Sequence, residues 1–132
     1  MKESLDKFID LKQKLSLEKG EFTLFALFLR EDAPNKWDFV VAAPWIDADR
    51  KSALPYIAHQ IQKTFKPNEI VALSRIVLIE KDNPGLSALQ SAINIVQGTA
   101  EYKDCNLFGL QIKHAYILVS QRINTIVEAL QA

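Results

Sequence analysis

The whole chain contains one cysteine, Cys105, so no disulfide can close within it and a reducing compartment is its simplest home. The same count excludes paired thiols for zinc and leaves histidine and carboxylate as the available metal ligands. The four glycines, Gly20, Gly85, Gly98 and Gly109, are too scattered for a phosphate-cradling loop or a dinucleotide fingerprint, and no Gly-x-Ser-x-Gly turn is present. Charge of one sign is missing as well. Lys+Arg 16 balance Asp+Glu 16 to a net charge of +0, with no run of like charges. The long-range attraction that draws proteins to phosphate backbones therefore lacks its usual sign, which argues against a nucleic-acid partner. Neutrality also removes self-repulsion and favours association. No apolar run approaches the length of a membrane span, and the opening Met-Lys-Glu-Ser-Leu-Asp-Lys carries charges where a signal peptide needs an apolar core. A cytoplasmic protein without a membrane partner is expected.

What is present is apolar content, 48% of the residues, enough over 132 residues for one full core and a single α/β domain spanning 1–132. The organising stretch is Glu21 to Trp45. Two apolar runs, Phe22 to Leu29 and Trp37 to Ala43, flank a break containing Asp32, Pro34 and Asn35, the pattern of a β-hairpin. Sides alternate along a strand, so Phe22, Leu24, Ala26 and Phe28 share one face and Phe25, Leu27 and Leu29 the other. Both faces are apolar, so the sheet needs helices on both sides or a partner subunit on one.

Leu5, Phe8, Leu11 and Leu15 make an opening amphipathic helix that Gly20 ends. A second helical stripe runs from Leu54 to Phe65 behind Asp47 and Asp49, with Pro55 either kinking it or lying in its first turn. Ser74 to Lys81, with four consecutive apolar residues, reads as a central strand buried on both faces. Asn83-Pro84 starts a helix that Gly98 closes. A strand pair follows over residues 100–120, with Gly109 suited to the first central position of a type II′ turn, and Ile123, Ile126, Val127 and Leu130 suggest a closing helix. The order α-β-β-α-β-α-β-β-α predicts a mixed sheet of about five strands with helices on both faces, an α/β arrangement with α+β as the alternative.

Three groups of residues invite a chemical reading. If the second and third strands are parallel, the carboxyl edge of the sheet collects Trp45, Asp47 and Asp49 from one loop and Glu80, Asp82 and Asn83 from the next, where ligands gather in open sheets. Asp47, Glu80 and Asp82 could then ligate magnesium or manganese for hydrolysis of a phosphate ester. Capping alone also explains Asp47 and Asn83. A turn at Gly109-Leu110 would set Cys105 opposite His114, close enough for thiol and imidazole to share a proton, against the plain reading of both as packing residues. Glu101-Tyr102-Lys103, with Asp82 upstream, is similar to the acid-then-Glu-x-Lys pattern of metal-dependent nucleases. It departs from that pattern in having a whole helix between the two parts. His59 has no spaced partner, and Trp37 and Trp45 suit a partner surface or the ends of the chain's own core. The function expected from this sum is binding or assembly, with self-association through an apolar sheet face or edge, no resident cofactor and no evident catalytic constellation. The alternative is the metal-dependent hydrolase.

Overall fold

Phe8, Leu11 and Leu15 line the buried side of α1, Leu5–Lys19, which follows a single 3-10 turn at Lys2–Ser4 and ends at Gly20 with φ +123°. The computed structural model describes residues 1–123, so the expected closing helix, apart from Ile123, falls outside the described residues. The apolar runs after Gly20 form β1, Leu24–Arg30, and β2, Trp37–Ala42. Three helices follow: α2, Pro44–Ala48; α3, Arg50–Thr64; and α4, Pro67–Ile70. Then come β3, Leu73–Leu78; α5, Pro84–Ala92; β4, Ala100–Leu107; and β5, Leu110–Ser120.

The five strands make one mixed sheet in the order β3-β2-β1-β5-β4. The hairpin strand β1 sits in the middle, antiparallel to both β2 and β5, while β2 and β3 run parallel. Each face is covered from within the chain. Phe8 and Leu15 of α1 and Ile57 and Ile61 of α3 meet Phe25, Leu27, Phe39 and Val41 on one face. Leu86 and Leu89 of α5 meet Leu24, Ala26, Val40 and Ile117 on the other. Full burial of each such side chain stabilises the fold by roughly 1.5–3 kcal/mol, so the two-faced apolar hairpin is satisfied without a second subunit on its face.

Several local expectations are corrected. Phe22 precedes β1 and packs edge-on against Phe25, 5.0 Å between ring centroids, so it joins the opposite face from Leu24. The strand read as central, β3, is an edge strand among the described residues, with β2 as its partner there. Its apolar run reflects one face packed beneath α3 and α4 and the other beside Val40, not a place between two neighbours. Helix α5 stops at Ala92, well before Gly98, because Ile95 leaves the helix to bridge Ser120 of β5. Pro55 lies inside α3, whose N-cap Asp49 accepts from the Ser52 amide. The Lys51 carbonyl thereby loses its helical donor, at a position exposed to water.

Candidate functional site

Because β2 and β3 are parallel neighbours, the segments leaving their carboxyl ends emerge side by side, as the edge-site expectation requires. Proline at its first position and an extended Ala43 start α2 directly at the end of β2. Helical spacing then divides the candidates. Trp45 and Asp49, four residues apart, line a cavity of about 250 Å³ with Lys19 and Tyr56. Pro44, Asp47 and Ala48 line another of about 440 Å³ on the opposite side, with Thr23, Lys81 and Ile123. The residue that meets Asp47 across this second cavity is thus Lys81, and Glu80 and Asp82 stand exposed outside its lining.

Asp47 and Asn83 at this edge each have a structural engagement. Asp47 Oδ1 lies 3.7 Å from Arg50 Nη1, and Arg50 Nη2 donates to the Leu78 carbonyl at 3.0 Å, which ties α3 to the end of β3. Asn83 Oδ1 accepts from the Gly85 amide at 2.8 Å and caps α5. Trp45 packs edge-on between Phe22 and Tyr56, with its indole Nε1 buried and without an acceptor among the described residues. Burial and a hydrogen bond to Glu18 push the Tyr56 hydroxyl up to about 12, so it remains a donor at every ordinary pH. Among the described residues, no three His, Cys, Asp or Glu side chains gather into a group that could hold a metal ion, and Asp47, Glu80 and Asp82 make no such set.

The proposed Cys105 and His114 pair is separated by the turn. The β4–β5 connection is Phe108-Gly109, both with positive φ, 55° and 73°, as a type I′ turn demands, so Leu107 pairs with Leu110. Cys105 therefore faces Ile112, and His114 faces Lys103. Burial pushes the Cys105 thiol up, away from the thiolate a nucleophile needs. Irregularities in the β1–β5 register also place Ile112 with the α5 face and His114 with the α1 face. Gly109 suits the first position of one turn type and the second of another, and residue types alone do not separate the two registers.

The structure joins His114 to Glu101 instead. His114 Nε2 lies 2.5 Å from Glu101 Oε2, and that hydrogen bond holds the Glu101 carboxyl below the usual carboxylate range. Trp37 and Tyr116 flank the imidazole, their centroids 5.3 and 4.6 Å from it. Lys103 is the direct cross-strand partner of His114, so the Glu-x-Lys residues and the histidine share one corner of the sheet. A carboxylate orienting an imidazole is half of a general-base device. No hydroxyl or thiol nucleophile bonds to this histidine among the described residues.

A second charged group was missed from the sequence. Asp38, 2% exposed, sits in β2 between Arg30 of β1 and Arg75 of β3, at 3.0 and 3.1 Å from its Oδ2. The Arg30 Nε contact is ionic, off the N–H direction, and Oδ1 is buried with no donor among the described residues. One charge among apolar neighbours in the Trp-Asp-Phe-Val-Val run was the available signal.

Compared with protein families, curated proteins and solved structures, the chain finds no match. No described helix is long and apolar enough to cross a membrane.

Proposed function

We propose that the chain is a small binding or assembly domain of the reducing cytoplasm that pairs with a second copy of itself along the outer edge of β3. The observation that carries this reading is the contrast between the two ends of the sheet. The β4 end bears Glu101, Lys103 and Asp104, all exposed, and Asp104 twists out of regular strand geometry at φ 51°. Charges and local twist are the devices that blunt a strand edge against pairing. The β3 end carries Ile76, Val77 and Leu78, half-buried, its one charge, Arg75, is paired with Asp38 of β2, and no described residue pairs with its outer side.

The Ile79 amide donates to Val41 of β2, so by alternation Leu78 and Ile76 turn their backbone groups outward. Arg50 already occupies the Leu78 carbonyl. A two-fold antiparallel pair centred on Ile76 would use its amide and carbonyl, and would displace Arg50 only at its ends. Ile76→Pro removes the outward donor while sparing the ladder to β2, since proline is tolerated where the N–H faces away from the sheet. Sedimentation velocity at micromolar concentration should give a dimer for the natural chain and a monomer for Ile76→Pro with unchanged circular dichroism. A natural chain that sediments as a monomer overturns the reading.

A further inference from the structure

Away from the edges described above, a cleft of about 540 Å³ lies between α1 and the segment that follows α5. Its outer wall is built by surplus chain. Ile95 pairs with Ser120 and Ala100 with Ile117, so five residue steps on one side span only three on the other. Val96, Gln97 and Gly98 arch away from the sheet as a result, and Gly98 takes φ +85°. Phe22 and Val119 line the cleft, with Ile9, Leu17 and Val96 adding apolar surface and glutamine and serine side chains completing it.

Lys12 lines this cleft. It is 9% exposed, and among the described residues its ammonium has one hydrogen bond, to the Val96 carbonyl at 3.3 Å, and no ion pair. An ammonium carries three donors, and burying it without an anion is costly. A lysine serving only as a surface charge would extend its amine into water. Here most of the side chain is withdrawn, beside the apolar walls of a cleft whose size suits small molecules.

We propose that this cleft binds an amphipathic monocarboxylate, its carboxylate on Lys12 and its apolar tail along Phe22, Val96 and Val119. Glu21, on the same cleft, disfavours ligands of higher negative charge. Isothermal titration with decanoate below its micellar concentration tests this, with decanol as the uncharged control. Decanoate should bind saturably. Lys12→Met keeps the apolar stem and should weaken it about tenfold, the worth of one charge-assisted hydrogen bond, while leaving decanol unchanged. Leu17→Glu, at a position 89% exposed and so without consequence for folding, should also weaken decanoate by setting a second carboxylate at the cleft. Absence of saturable decanoate binding overturns the proposal, as does equal binding of decanol, or decanoate affinity that neither substitution lowers.

Discussion

Phe108 holds a left-handed backbone conformation that bulky residues avoid, at a cost of order 1–3 kcal/mol. Its ring offsets that cost by lying against α5, where a Cβ added at Gly85 would stand 2.5 Å from the Phe108 ring, and by packing on Phe28 at 6.1 Å. Gly85 is therefore required for close approach, at an ordinary φ. Gly85→Ala should destabilise the protein by about 1–3 kcal/mol, the range for forcing atoms into a filled core, read as a lower denaturant midpoint at unchanged slope. An unchanged midpoint would mean that the ring yields freely.

Glu101 supplies the pH dependence at this scale. Its folded pKa is depressed by His114, so its contribution to stability is fully present above the unfolded value of 4.5 and fades as pH falls through the lower folded value. The gap in melting temperature between the natural chain and Glu101→Gln should accordingly be open at about pH 7 and close toward about pH 3. A gap of constant size across that range would show that the carboxylate acts by shape rather than charge.

At the scale of elements, Arg30, Asp38 and Arg75 join three adjacent strands through one carboxylate. Removing the shared partner leaves Arg30, whose side chain is 18% exposed, with the exposed Asp32 at 3.2 Å as its remaining anion and its buried Nε facing no carboxylate. Asp38→Ala should cost about 3 kcal/mol in equilibrium unfolding, as expected when one member of a buried pair is lost. A loss below about 1 kcal/mol would place the group among solvent-relaxed surface pairs. The elements themselves were largely legible in the chain: the leucine spacing of α1, the Asn83-Pro84 start of α5 and the hairpin runs all act locally, within one or two turns of their own residues. The rank of β3 within the sheet was not, since Ile76 to Ile79 reads the same whether a helix or a second strand supplies the covering surface.

Across the whole molecule, the same limit explains the candidate sites. A helical connection long enough to cross over permits a parallel pairing of β2 with β3 without requiring it, and the pairing observed brings the two carboxyl ends together. Whether Asp47 then meets Asp82 or Lys81 depends on how α2 is rotated about its axis, which Phe22 and Tyr56 decide by gripping Trp45. Those rings come from positions 22 and 56, too far apart in the chain for any spacing rule. Lys12 was hidden for a similar reason: only the Val96 arch, 84 residues away, makes it part of a cleft.

The central position of β1 also bears on how the chain is made. Its second neighbour, β5, begins at Leu110, so a ribosome releases everything between Arg30 and Leu110 before that side of Leu24–Arg30 meets its partner in the sheet. Until then an unusually greasy ribbon stands half-zipped. Fast closure of the β4–β5 hairpin onto β1 shortens that exposure, since unpaired strand edges are where partly folded chains associate.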